Sequence, residues 1–245
     1  SVLGALDYMI PDVAAPIVRQ IIGAYARRYG RKPRVLDVGS SYGINAAVHR
    51  FPMTFSTLRR RYARHEMAAL EPAEVARLDR HYYASWPDRG LATFVGLDAS
   101  PQAIRYANDV GLIEEGIVAD LERERLTDQA ADLVRDVDMW LSNGAVGYVR
   151  DKTFRSILEA ASRPLWIVSF VLRMFPYDDF QALFEESGLV TEHLESALFA
   201  QRRFIDLAEF ESCLGQLASR DLDSRGLESR GLLQAGLFVS RPAVD

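Results

Sequence analysis

Residues 14 to 28 read AAPIVRQIIGAYARR, with Ile17, Val18, Ile21, Ile22 and Tyr25 at i, i+1, i+4, i+5 and i+8, the stripe of an amphipathic helix. Gly30 and Pro33 stop it. RVLDV follows as a short apolar run with a carboxylate inside, then GSSYG, then a helical segment from about Ile44, which predicts strand, tight turn and helix. Further apolar runs recur as ATFVGL (92–97), GIVA (116–119), VDMWL (137–141), LWIVSFVL (165–172) and LQAGLFVS (233–240). Between them, PQAIRYANDV, RDKTFRSILEAA and YDDFQALFEESG carry apolar residues three and four apart, with Pro101 and Asp178 as first-turn or cap residues. Strands alternating with helices predict an α/β fold, a mostly parallel sheet covered on both faces, with ligand chemistry at the carboxyl ends of its strands.

Two regions break the alternation. Residues 51–90 are too long for a plain connection and read as an inserted helical lid. Near the end, DSRGLESRGLL repeats SRGL at 224 and 229, too short an echo for a solenoid and sufficient for a glycine-rich loop before the last strand. No low-complexity linker divides the chain, so 1–245 is expected to be a single domain with the 51–90 insertion inside it.

Composition narrows the partners. Twenty-nine Lys and Arg against 34 Asp and Glu give a net charge of −5, which supplies no general positive field for nucleic acid or an anionic membrane. Cys213, the single cysteine, excludes an intramolecular disulfide and any Cys-rich zinc module. The run Leu165 to Leu172 is far short of the roughly 20 residues of a membrane helix. The N-terminal stretch carries Asp7, Pro11, Asp12 and Pro16 without a basic leader, so a signal peptide is not expected and a cytoplasmic location is. The oligomeric state is left open.

The chemistry concentrates in Val35-Leu36-Asp37-Val38-Gly39-Ser40-Ser41-Tyr42-Gly43. Glycines after a strand let a ligand approach the backbone, and the next helix offers free N–H groups. The Gly-x-x-x-Gly spacing is not the Gly-x-G-x-x-Gly of a dinucleotide site, and no Gly-Lys-Ser/Thr element supports a P-loop. The segment resembles the first motif of class I S-adenosylmethionine-dependent methyltransferases: Asp37, Gly39 and Gly43 match, and Ser41 stands where the middle glycine is usual. Leu97-Asp98-Ala99-Ser100, Ala119-Asp120-Leu121 and Ser142-Asn143-Gly144 follow in the order of the family's later strand ends. ESRGLLQAGLFVSRP looks like its closing antiparallel edge strand.

The resemblance implies a doubly wound, mostly parallel seven-stranded sheet, the Rossmann-like methyltransferase fold, covering about residues 14 to 245 apart from the insertion. It implies S-adenosylmethionine as cofactor, held by Asp37, Gly39, Ser40, Ser41 and Gly43, by Asp98 and Ala99 at the ribose, by Asp120 and Leu121 at the adenine, and by Asn143 at the methionine part. Asp98 has the competing role of capping the helix from Pro101, Asp37 of satisfying N–H groups in its turn, Asp120 of an exposed strand-end acid, and Asn143 of holding a left-handed turn.

Asn143, Tyr148 and Tyr177 follow the fourth and fifth strands and are the candidate catalytic residues. Tyr8, before the first helix, is placed by topology to close over the cofactor. No metal site is expected, since His49, His65, His81 and His193 show no ligand spacing. The insertion's seven arginines, Arg59, Arg60, Arg61 and Arg64 among them, against five acids read as a solvated face. Its Tyr62, Tyr82, Tyr83 and Trp86 form either a substrate wall or the lid's own core.

Three functions remain. The first is methyl transfer to a small-molecule acceptor, in secondary metabolism; the Asn/Asp-Pro-Pro-Tyr element of nucleobase amino methyltransferases is absent. The second, as in the methyltransferase-like azetidine-carboxylate synthases, has S-adenosylmethionine as sole substrate, its α-amino group attacking its own γ-carbon to give azetidine-2-carboxylate and methylthioadenosine. The third is a non-catalytic cofactor-binding module.

Overall fold

A computed structural model describes residues 7–143, 149, 151–163 and 165–243. Helix α1 (Ile10–Tyr29) begins on Pro11 and ends at Gly30, whose φ of 67° places it in the left-handed region. Val18, Ile22 and Tyr25 of its expected stripe are buried with Ile10, Ala14 and Ala15, while Ile17 and Ile21 are partly covered. Strand β1 (Arg34–Val38) leads through the glycine turn into α2 (Ile44–Arg50). The insertion then forms α3 (Phe55–Tyr62), α4 (His65–Ala68) and α5 (Pro72–Ala84), so its helical character is as expected.

The regular alternation resumes with β2 (Thr93–Asp98), α6 (Pro101–Asp109), β3 (Glu115–Val118), α7 (Asp128–Arg135), β4 (Met139–Asn143), α8 (Asp151–Ala160), β5 (Trp166–Leu172) and α9 (Asp178–Glu186). β6 (Leu189–His193), β7 (Phe199–Arg203), α10 (Leu207–Ser219) and β8 (Leu232–Pro242) complete the described chain. Each of α3, α6 and α7 starts on a side-chain cap: Thr54, Ser100 and Thr127 accept from the backbone N–H three residues on.

The sheet order is β3-β2-β1-β4-β5-β8-β6, with β7 paired to β8. β1 runs parallel to β2 and β4, and β8 runs antiparallel to β5, β6 and β7. This is a Rossmann-like, doubly wound α/β sheet with β1 beside the point where the order reverses. Two details differ from expectation. The sheet has eight strands rather than seven, because β7 adds to β8. The antiparallel strand is also not an edge: β8 lies between β5 and β6, and its 11 residues are long enough to serve both and β7 besides. The segment before it is more than the expected glycine-rich loop: a 3-10 turn, Glu228–Arg230, lies between Gly226 and Gly231, whose φ are 75° and 86°.

Alternating residues of the central strands feed two cores. Val35, Met139, Leu141, Val168 and Phe170 face α1, α2 and α6; Leu36, Val38, Trp140, Ile167 and Val171 face α7, α8 and α9. Both faces being covered is why these strands read as continuous apolar runs. A polar residue within them, such as Asp37 or Asn143, is therefore placed against a cost in desolvation.

Candidate cofactor site

Gly39 (φ 72°), Ser41 (φ 49°) and Gly43 (φ 77°) all lie in the left-handed region, which coils the turn tightly over the end of β1. Ser41 is the costly member, since a side chain at positive φ is strained. Its N–H donates to Asp98 Oδ2 at 2.9 Å, which ties the turn to the end of β2. The N–H groups of Gly39 and Ser40 donate to the Leu97 carbonyl at 2.9 and 3.1 Å. Ser40 Oγ is buried without a partner.

Asp98 accepts a second bond, from the Ser100 N–H at 2.8 Å, so both carboxylate oxygens are oriented by backbone and keep further lone pairs. The cap of α6 is Ser100, not Asp98. Ala99 beside it is exposed.

Behind the turn runs a buried polar relay. Asn143 Nδ2 donates to Asn45 Oδ1 at 2.8 Å, and Asn45 Nδ2 donates to Asp37 Oδ1 at 2.8 Å. Asp37 Oδ2 and Asn143 Oδ1 have no partner. Burial, with Asp98's charge adding to it against the Asn45 bond, pushes the Asp37 carboxyl up to about 7. The Tyr8 hydroxyl reaches the Asn143 carbonyl at 3.4 Å, and burial and Asp37 raise its phenol above the usual tyrosine range. The ring meets Phe55 edge-on at 5.6 Å. Met9 N–H donates to the Gln201 carbonyl at 2.8 Å, seating this segment on β7. Gln201 is itself buried, with Oε1 unpartnered.

The structure thus brings together Asp37, Gly39, Ser40, Ser41, Gly43, Asp98 and Asn143, with Tyr8 beside Asn143. Asp120 stands half-exposed just past β3, 3.5 Å from Arg123, and its N–H donates to Glu124. The Leu121 side chain is buried in the second core. Tyr148 lies outside the described residues, as does Gly144.

Tyr177 departs from its expected place. Instead of facing the carboxyl edge, its ring stacks on Phe238 at 4.2 Å and packs among Phe180 and Phe184 in the second core. Its hydroxyl lies toward Ser169 and Ser240, and burial raises the phenol above its ordinary range. A large aromatic just before α9 gains more by filling that core than by meeting solvent.

Asn45 and Gln201 were not singled out from sequence. The signal for Asn45 is a polar residue inside INAAV, whose neighbours are buried; Gln201 sits in the polar FAQRR and carries none. Among the described residues, no group of three or more His, Cys, Asp or Glu is arranged to hold a metal ion. None of their helices is long and apolar enough to cross a membrane.

No protein-family model and no curated protein matches the chain. Among solved structures it is similar to the YcgJ protein from Bacillus subtilis, at 12% identity over 92% of this chain and 99% of that one, TM-score 0.49. It is also similar to the plantazolicin methyltransferase BamL in complex with a triazolic desmethylPZN analog and SAH, at 12% identity over 94% and 85%, TM-score 0.47. A Thermoplasma acidophilum protein matches at 14% identity over 93% and 86%, TM-score 0.42. Likenesses this distant decide nothing about activity, and the fold assignment stands on strand order and register.

Proposed function

We propose that the protein binds S-adenosylmethionine at the carboxyl ends of β1, β2, β3 and β4 and transfers its methyl group to a small-molecule acceptor. The observation that carries this reading is the joining of the Gly39–Gly43 turn to Asp98 through the Ser41 amide, at the switch point of a doubly wound sheet. The residues fit the cofactor. The carboxylate of Asp98 takes the two ribose hydroxyls, Asp120 and the Leu121 backbone flank the adenine, and the buried Asn143 Oδ1 and, once ionised, Asp37 Oδ2 suit an N–H-donating methionine end. When bound, the sulfonium supplies the electrophilic methyl and its own leaving group. The chain's part is to orient and to exclude water, which can supply about 7 to 11 kcal/mol of barrier reduction. Tyr8 and Phe55 form the cover on the side of Asn143. Placement in secondary metabolism and in the cytoplasm is part of this reading.

Cyclisation needs polar side chains to hold the cofactor's amine in a folded conformer, and Asn143 and Tyr177 are the candidates that could do so. With Tyr177 turned into the core it keeps only Asn143. Mass spectrometry of the protein incubated with S-adenosylmethionine alone, and then with acceptor mixtures, separates the readings. Methyl transfer predicts cofactor that survives alone and S-adenosylhomocysteine with an acceptor. Enzyme-dependent methylthioadenosine with an equimolar azetidine amino acid would replace it with cyclisation, and binding without turnover of any acceptor would favour a silent module.

A further inference from the structure

One turn along α2 from Asn45, a cavity of about 180 Å³ opens between α1, Val48, the Pro52–Thr54 turn and Arg89. Arg19, on α1, and Arg89, at the end of the insertion, both border it. Neither forms an ion pair among the described residues; Arg89 Nε reaches only the Phe51 carbonyl, at 3.3 Å. Partial burial and the charge of Arg89 hold Arg19 below the usual arginine range. Asp12 also borders the cavity, but two helical turns from Arg19 and already engaged. Its oxygens accept the Phe55 N–H at 2.6 Å and the Ser56 N–H and hydroxyl at 3.1 Å, at the start of α3.

His49 lies close to both guanidinium groups. It is fully buried, stacked on Phe94, and neither ring nitrogen has a partner. Burial, Arg19 and Arg89 together push the imidazole down to about 3, so it stays neutral and adds no charge of either sign at neutral pH. Two guanidinium groups that border one partly enclosed space, neither within pairing distance of a carboxylate among the described residues, repel, and each presents a fork matched to a carboxylate or phosphoryl group.

We propose that Arg19 and Arg89 form an oxyanion-binding site, separate from the cofactor site, that takes a phosphoryl or carboxylate group small enough for this cavity. The site joins α1, α2 and the end of the insertion, so an anion there ties together three elements that also frame Asn45 and Phe55. It does not depend on the cofactor reading.

Calorimetric titration of the full chain with inorganic phosphate, acetate and chloride at one ionic strength tests it. The variants are Arg19→Gln, Arg89→Gln, their combination, and Arg105→Gln as a control on an exposed position of α6. The expected result is saturable binding of phosphate or acetate, weakened at least tenfold by either site substitution and unchanged in the control. Phosphate binding without acetate assigns a phosphoryl group, and the reverse a carboxylate. Because the site substitutions relieve repulsion, they are expected to keep or raise the melting temperature, so lost binding does not reflect lost folding. Chloride acting as well as the oxyanions, no saturable binding, or binding that persists in the double variant would overturn the proposal.

Discussion

Asp37 is a carboxyl that the fold buries at a cost in desolvation. Its carboxyl, raised to about 7, holds a proton in the native state that the unfolded chain has released above the ordinary value of 3.8. Its contribution to stability is therefore most favourable below the unfolded value and falls as pH rises toward 7, by up to about 1.4 kcal/mol per pH unit. Asp37→Asn keeps an acceptor for Asn45 and removes the titration. Chemical denaturation from pH 4 to 8 should show the wild type losing stability relative to the variant over that window; a constant difference would mean that Asp37 stays ionised. Tyr177→Phe removes a buried hydroxyl without a well-formed hydrogen bond, so it should change stability by less than about 1 kcal/mol and leave cofactor affinity alone. A tenfold loss of affinity would return Tyr177 to the site. Asp37 and Asp98 are legible in sequence because each is a lone carboxylate at or next to the end of an apolar strand run, with Gly39 two residues after the first and Ser100-Pro101 two and three residues after the second. Tyr177 misled because its position after a strand says where its backbone goes, not which way its ring turns.

The insertion is anchored rather than loosely appended. Asp79, fully buried on α5, accepts Arg61 Nε and Nη2 at 2.9 and 2.7 Å, and the hydroxyls of Tyr62 and Tyr106 at 2.8 and 2.6 Å. Tyr83 bonds Tyr62 at 3.1 Å, and Arg61 lies 4.1 Å over the Tyr82 ring. Arg61 is thus half-buried and paired with a fully buried carboxylate rather than standing on a solvated face, and Tyr83, with Tyr82, Trp86 and Tyr106 of α6 packed alongside, belongs to the first core rather than to a separate core of the insertion. Asp79→Ala leaves those donors unmatched and should cost about 3 to 5 kcal/mol, with hydrogen exchange rising first in α3 and α5. Exchange that rises evenly through the sheet would show that the network does not hold the insertion in particular. No local pattern announces such a network, since its members come from three helices. β6 and β7 were illegible for a related reason: LVTEH and FAQRR alternate poorly and are partly exposed, and each becomes a strand only because β8 offers it a partner. α10 gives an equally weak signal, since only Cys213 and Leu217 of its residues are buried.

Across the chain, the central sheet follows from the sequence because β1, β2, β4 and β5 are buried on both sides and separated by helical periods. The eighth strand and the interior place of β8 depend on pairings remote in sequence. The same holds for the site: its strand-end acids announce themselves, while the Asn143–Asn45–Asp37 relay exists only once β1, α2 and β4 meet. What the topology joins at its switch point is a strained turn, an oriented carboxylate and buried polar groups, which we propose bind the cofactor. Calorimetry with S-adenosylhomocysteine on the wild type and on folded Asp98→Ala tests this. The expected result is one site per chain, weakened by about 1.5 to 3 kcal/mol in the variant through loss of charge-assisted bonds to the ribose. A wild type that fails to bind, or a variant with unchanged affinity, would contradict it.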